Sequence, residues 1–359
     1  MADHFQADNI GRPIKTGVAG LGRSGWGIHI QALAEMTDLF SIVAVCDPDE
    51  ARQAQAQERF GCRVYDDCAG LIADDDVELV VVATPSQYHC TDSLAAMRAG
   101  KHVLVEKPMA PSLVEVDEMI AAARETGQIL TVNQNYRYAP DFLKIKEVID
   151  SGVLGRIIQI RLAAHRFSRR WDWQTLKAFG GGILNNQGAH MIDWALLLVD
   201  DPAPEVVAHM ETTPLYAGDA ESHVKVLLRP QNGPLIDIEL THANAFPQAS
   251  CLVMGTQGSL ISDRQLIRWR YFDPEEAPPL VLDTKPTPDR TYNSEDLPWQ
   301  EASYQPDRNF LRDVRCLYQD LFMSIRHDAP LVISPESVRR QVAVLEQCRQ
   351  AGPTESLSG

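Results

Sequence analysis

The stretch that most restricts this chain is GVAGLGRSG, residues 17–25, which continues directly from the apolar run that opens with IKT. Gly20, Gly22 and Gly25 give the spacing G-x-G-x-x-G. A strand that turns sharply into a helix needs one glycine for the turn. It needs a second where backbone approaches a pyrophosphate, and a third where helix packs on strand. The helix start then offers free N–H groups and a partial positive charge, which suit an anion. Gly20, Leu21, Gly22, Arg23, Ser24 and Gly25 are therefore the candidate phosphate loop. Asp47 ends the next apolar run, twenty-two positions after Gly25, where a carboxylate can bind ribose hydroxyls. A carboxylate there repels a 2′-phosphate, so the expected cofactor is NAD, with NADP disfavoured. Arg23 and Arg52 are the cations that argue the other way.

The following segments support that loop. IKTGVAG (14–20), SIVAVCD (41–47), VELVVVATP (77–85), HVLVEKP (102–108) and QILTVNQN (128–135) are nearly continuous apolar runs, as in parallel strands covered on both faces. Helix-like segments at 25–36, 49–60, 87–99 and 112–126 separate them. This alternation specifies a doubly wound α/β domain. Pro111 and Ser112 precede the fourth helix and Gly127 follows it. After about residue 150, GRIIQIRLAAHRF (155–167) reads as a long strand. Segments 204–212, 222–230, 234–243, 248–255 and 258–263 alternate more, with a turn at PQNGP (230–234). They predict a mainly antiparallel sheet with a helix at 189–198 on one face. Residues 272–308 form a Pro- and acid-rich excursion, helices follow at 306–327 and 335–350, and GPTESLSG reads as a loose tail.

A chain of 359 residues suits two domains, placed here at 1–136 and 137–359. The net charge of -16 opposes nucleic-acid binding and an anionic membrane surface. It leaves room for a local basic pocket and an anionic small substrate. Seven cysteines without a CxxC pair suggest neither a disulfide framework nor a zinc site, and no metal is expected. The opening MADHFQADNIGRP has no apolar signal region, and no run approaches the roughly 20 apolar residues that span a bilayer. A cytoplasmic protein is the expectation.

Ligands of open α/β sheets gather at the carboxyl ends of strands. Thr84, Pro85 and His89 follow the third long run, Glu106 and Lys107 the fourth, and Asn133, Gln134, Asn135, Tyr136 and Arg137 the last. Glu106 and Lys107 read equally as catalytic groups or as an ion pair capping the sheet. In GGGILNNQGAHMID (180–193), a helix over 185–197 would put Asn186, His190 and Asp193 on one face. Asp193 then orients the imidazole or faces elsewhere. HRFSRRWDWQT (165–175) carries Arg166, Arg169, Arg170, Trp171 and Trp173. Indoles stack on sugars and arginines clamp carboxylates or phosphates. The competing reading is a solvated basic turn with its tryptophans in the core.

The glycine loop, ATPSQYH, EKP, VNQNYRY and GGGILNNQGAHMID, in that order, resemble the Gfo/Idh/MocA oxidoreductases. The resemblance extends to SHVKVLLRPQNGPLIDIEL and the closing helix and is weakest over 264–308. It implies a Rossmann domain followed by an α+β domain with a large open sheet, and NAD(P)-dependent chemistry on a sugar, cyclitol or related polyol. It implies Lys107 beside the nicotinamide and His190 as general acid/base. Many members carry an aspartate four residues before that histidine, where this chain has Asn186. A histidine with a pKa near neutrality suits proton removal, a lysine stabilises the alkoxide, and Asn186 orients a hydroxyl. Cofactor contacts are expected from Gly20, Leu21, Gly22, Arg23, Ser24, Gly25, Asp47, Thr84, Pro85, His89, Glu106, Lys107 and Gln134. Substrate contacts are expected from Tyr136, Arg137, Arg169, Trp171, Trp173, Asn186 and Asp193. Two alternatives stay open: an NAD-dependent glycosidase that oxidises transiently, and a non-catalytic NAD-binding sensor. The open sheet suggests a homodimer or homotetramer.

Overall fold

The computed structural model describes residues 11–351 except 200, 202, 287–289 and 291. The tail GPTESLSG lies outside the described residues. The first domain runs β1 (Ile14–Ala19), a π turn (Gly25–Ile30) leading into α1 (Gln31–Ala34), β2 (Phe40–Cys46), α2 (Glu50–Phe60), β3 (Arg63–Tyr65), α3 (Cys68–Ile72) and β4 (Leu79–Val82). It continues with α4 (His89–Arg98), β5 (His102–Val105), α5 (Leu113–Thr126) and β6 (Leu130–Val132). The strands are all parallel, in the order β3-β2-β1-β4-β5-β6. Every residue of β4 is buried, which explains its unbroken LVVV. The order reverses between β1 and β4, so a crevice opens there at the carboxyl ends of the strands.

Local chemistry sets the helix ends. Ser112 caps α5 in a reciprocal pair with Glu115, and Gly127 ends it in the left-handed conformation. The first helix differs from the expected regular 25–36: it opens with a π turn and ends as a short α segment. The pair β3 and α3 went unforeseen because three and five residues carry too little periodicity.

The second domain holds α6 (Pro140–Asp150), β7 (Ile157–His165), a π turn (Leu184–Gly188), α7 (Ala189–Leu198) and β8 (Glu205–Glu211). Then come β9 (His223–Arg229), β10 (Leu235–Thr241), β11 (Cys251–Gly255), β12 (Gly258–Ser262), β13 (Ile267–Tyr271) and β14 (Gln300–Tyr304). These eight strands form one sheet in the order β14-β13-β12-β11-β7-β10-β9-β8. It is mainly antiparallel, with β7 and β10 parallel. The PQNGP turn joins β9 to β10 as expected. The excursion at 272–308 contains β14, which pairs with β13 and lengthens the sheet edge. Helix α7 packs its Met191, Ile192 and Ala195 in the core under this sheet.

Two closing helices, α8 (Phe310–His327) and α9 (Pro335–Gln350), tie the domains together. From α8, Val314, Leu317, Tyr318, Leu321 and Phe322 enter the core of the first sheet. From α9, Val338 and Val342 join that core, while Val344, Leu345 and Cys348 join the second. A division at 136/137 therefore separates the two sheets but not the two cores. Among the described residues, no helix is long and apolar enough to cross a membrane.

Candidate active site

The glycine loop is shaped by close approach. Gly20 has φ +89°, and a Cβ there would stand 2.6 Å from the Ala83 carbonyl oxygen. A Cβ on Gly25 would stand 1.7 Å from the Gly20 carbonyl oxygen. Gly22 is the opposite case: nothing lies within 4 Å of its would-be Cβ. Two glycines close the turn and the third leaves open space at the crevice, as a pyrophosphate needs. Asp47 braces the loop by accepting from the Leu21 amide at 2.7 Å. Its other oxygen accepts from Asp49 N–H at 3.0 Å, and the Arg52 guanidinium stands 3.4 Å from both oxygens. Arg23 is exposed at the rim, and the Ser24 side chain makes no cap to the π turn. These residues fit a dinucleotide. Asp47→Ala is expected to weaken NADH binding by about 10–100-fold, the effect of losing hydrogen bonds to a charged group. It should also narrow the preference over NADPH. Fluorescence titration with both nucleotides checks this; tighter NADPH binding by the unchanged protein contradicts the role of Asp47.

Glu106 and Lys107 do not bond each other through their charges. The Glu106 carboxylate is buried and accepts from Asn133 Nδ2 at 2.8 Å, from His29 Nε2 at 3.1 Å and from the Lys107 backbone N–H at 3.0 Å. The other His29 nitrogen meets the Tyr318 hydroxyl at 2.8 Å. Burial alone would raise the carboxyl, but the His29 hydrogen bond and charge, with Lys107 and Asn133, hold it down to about 2. Lys107 turns the other way. Its Nζ donates to the Asn186 carbonyl oxygen at 3.0 Å and to Asn186 Oδ1 at 3.3 Å. Burial lowers the ammonium pKa, Glu106 opposes that, and Arg23 reinforces it. The Lys107 loop of the first domain thus touches the glycine-rich segment of the second.

His190 lies beside them on α7. Its ring stacks on Tyr136 with centroids 4.0 Å apart and planes 16° from parallel. Its Nδ1 is buried and has no hydrogen-bond partner. Burial first, then the Lys107 charge, push its pKa well below the ordinary range. This corrects the expectation of a value near neutrality: the resting ring is a neutral base. The shared helical face of Asn186, His190 and Asp193 is corrected too. Asn186 belongs to the π turn Leu184–Gly188, which bulges before α7 and turns its side-chain oxygen to Lys107. Its Nδ2 donates to Gln174 Oε1 at 3.4 Å.

Asp193 points to a different partner. Its carboxylate takes two hydrogen bonds from Arg137, at 2.8 and 2.6 Å, and both side chains are buried. Arg137 also donates to Ser337 Oγ at 2.9 Å. Neither residue is free to hold a substrate as expected; together they pin α7 to the end of β6 and to α9. Asp193→Ala is expected to lower stability by about 3–5 kcal/mol, because it strands a buried guanidinium. Chemical denaturation measures this, and a loss below about 1 kcal/mol contradicts the pinning role.

Other expected ligand residues are also engaged internally. His89 is buried, its ring nitrogens 2.8 Å from the Pro108 carbonyl and 2.9 Å from the Thr84 carbonyl. It ties two crevice loops together. The Thr84 hydroxyl donates to Asp92 at 2.8 Å, and Pro85 is exposed at the start of a 3-10 turn. Gln134 is fully buried and donates to the Ala189 carbonyl at 3.3 Å and to Gln341 at 3.5 Å. Trp171 and Trp173 are 82% and 50% exposed, so the core reading of these tryptophans fails. Arg170 is held by Asp172 and Gln174, while Arg169 is exposed. His29 and Tyr318 were missed. His29 stands four residues beyond Gly25 and gave a faint local signal; Tyr318, 289 residues further on, gave none.

Comparison with known proteins fits this geometry. The model described as "Oxidoreductase family, NAD-binding Rossmann fold" matches residues 14–134, and the GFO/IDH/MocA C-terminal domain matches residues 142–261. An uncharacterised oxidoreductase of Schizosaccharomyces pombe is 32% identical, over 69% of this chain and 70% of its own. Inositol 2-dehydrogenase 2 of Saccharopolyspora erythraea is 30% identical, over 80% of this chain and 84% of its own. Among solved structures, GenD2 from gentamicin A biosynthesis, in complex with NAD, is 27% identical with a TM-score of 0.75, covering 95% of both chains. An NAD-binding protein from Listeria innocua shares the fold at a TM-score of 0.80 and 22% identity, over 94% of this chain and 97% of its own. With both domain models matched in order along it, the chain belongs to the Gfo/Idh/MocA family of NAD-binding oxidoreductases.

Proposed function

We propose that this oxidoreductase transfers hydride between NAD and a secondary alcohol or ketone of a sugar, cyclitol or related polyol. The observation that carries the reading is the meeting of Lys107 and Asn186 beside His190, whose buried Nδ1 has no hydrogen-bond partner among the described residues. NAD, when bound, supplies the hydride acceptor. Gly20, Gly22 and Gly25 would leave room for its pyrophosphate, and Asp47 would take its ribose hydroxyls. In the oxidation direction the neutral His190 imidazole removes the hydroxyl proton. Lys107 sets a positive charge against the oxygen as it becomes negative. Asn186 positions the ammonium through two acceptor oxygens without neutralising it, as a carboxylate at that position would. Asn186 cannot itself take the proton. Reduction runs the same path backwards, with the imidazolium returning the proton.

The relatives support this substrate class by their names, among them the myo-inositol 2-dehydrogenase of Thermotoga maritima and the D-glucoside 3-dehydrogenase of Escherichia coli. A panel of sugars, cyclitols and sugar acids, followed by NADH absorbance, tests the reading. Free NADH from at least one of them is expected. Cleavage of a nitrophenyl glycoside without free NADH would point to the glycosidase alternative. NAD binding without turnover would point to a sensor. The open face of the second sheet exposes Ile158, Val207 and Ile261, which supports a homodimer or homotetramer formed across it.

A further inference from the structure

Between β12 and β13 the chain turns at Asp263–Leu266, and Arg264 occupies that turn with φ 74°. Asp263 accepts the Gln265 and Leu266 amides, both at 2.9 Å, and the Arg264 amide donates to Ser262 Oγ at 3.1 Å. A left-handed backbone favours glycine, yet a long cation stands here. Its guanidinium is directed inward. Among the described residues, its guanidinium makes a single hydrogen-bond contact, from Nη2 to the Met191 sulfur at 3.9 Å, next to His190 on α7. A thioether is a poor acceptor. Among the described residues no carboxylate lies within ion-pair distance of Arg264. Burial lowers its pKa, and Tyr136, which stacks on His190, lies in its neighbourhood. Arg264 acts in turn on His190.

Asp141 acts on Arg264 from beyond ion-pair distance; it faces Arg308 at 3.7 Å, and among the described residues neither of its buried oxygens has a hydrogen-bond donor, while Glu106 is held by His29 and Asn133. Arg166 and Arg308 add to the positive side around Arg264, and Lys107 adds to it around His190. In a chain of net charge -16 this is a local concentration of cations, with no carboxylate closed on the Arg264 fork among the described residues. A guanidinium with its fork unused is the group that receives a carboxylate with two parallel hydrogen bonds.

We propose that Arg264 is the specificity-determining residue for an anionic substrate, receiving the carboxylate of a sugar acid whose hydroxyl reacts beside His190. This rests on the reading of the site as a sugar or polyol dehydrogenase, and it narrows the substrate class. The test is calorimetric binding to the NAD-loaded protein of matched pairs: D-glucuronate and D-glucose, D-galacturonate and D-galactose, D-gluconate and D-glucitol. At least one acid is expected to bind about tenfold or more tightly than its neutral partner, in line with a charge-assisted pair. Arg264→Met is expected to erase the difference while NAD affinity is retained. Arg264→Gly, which suits the left-handed backbone, should do the same and covers the case that Arg264→Met folds poorly. The inference is overturned where no acid outbinds its partner, where the preference survives both variants, or where sugar phosphates bind more tightly than every acid. Turnover is not needed for this readout. Acid-selective binding without NADH production would remove the redox reading and leave Arg264 in place. NADH from neutral sugars without acid preference would do the reverse.

Discussion

Replacing His190 by alanine is expected to lower turnover by at least about a hundredfold, within the range of about 10²–10⁴ that a positioned general base contributes. NAD binding should persist, because the imidazole is not part of the glycine loop. The effect follows from what surrounds the ring. It stacks on Tyr136, its Nδ1 is shut away without a partner, and burial keeps it neutral. The same environment sets the sign of the pH dependence. The working form in oxidation is the neutral ring, and its pKa lies well below the ordinary histidine value of about 6.5. Oxidation should therefore hold its rate as the pH falls through 6.5 and decline only further down. Near-normal turnover in a purified His190→Ala protein, or a midpoint at the ordinary histidine value, contradicts this role.

Lys107→Ala is expected to cost at least about a hundredfold in turnover by a different route. The alanine leaves the developing alkoxide without its cation, and Asn186 cannot replace a charge. Both oxygens of Asn186 that now receive Nζ hydrogen bonds would lose them. The loss should fall on turnover while NAD still binds. In the unchanged protein the alkaline limb of the profile should lie below the ordinary lysine value of about 10.4, because burial pushes the ammonium down. Steady-state kinetics on the first substrate found would decide, and a Lys107→Ala protein with normal turnover removes the alkoxide role.

Much of the scaffold was legible because its signals are local. The glycine spacing after β1, the unbroken apolar strands and the Ser112 cap each depend on neighbours a few residues apart. The meeting of the EKP segment with the glycine-rich segment was legible only through a resemblance, since Lys107 and Asn186 are 79 residues apart. What stayed hidden was long-range or very short. Tyr318 reaches His29 from the far end of the chain, and nothing near residue 318 announces it. The pairing of Arg137 with Asp193 is a choice between partners that residue type cannot make; both looked like ligand groups until the fold paired them. The π turn at Leu184–Gly188 also escapes periodicity, because one inserted residue shifts every side chain behind it. That shift is why Asn186 faces Lys107 while Asp193 faces the core.

The most direct measurement is a crystal structure of the protein with NAD bound. The nicotinamide ring should lie in the crevice with Lys107 Nζ and the His190 imidazole both facing the position of a reacting carbon, at contact distances of about 3–4 Å. A ring seated away from those two side chains, or a dinucleotide that does not thread past Gly22, would contradict the assignment of the catalytic pair.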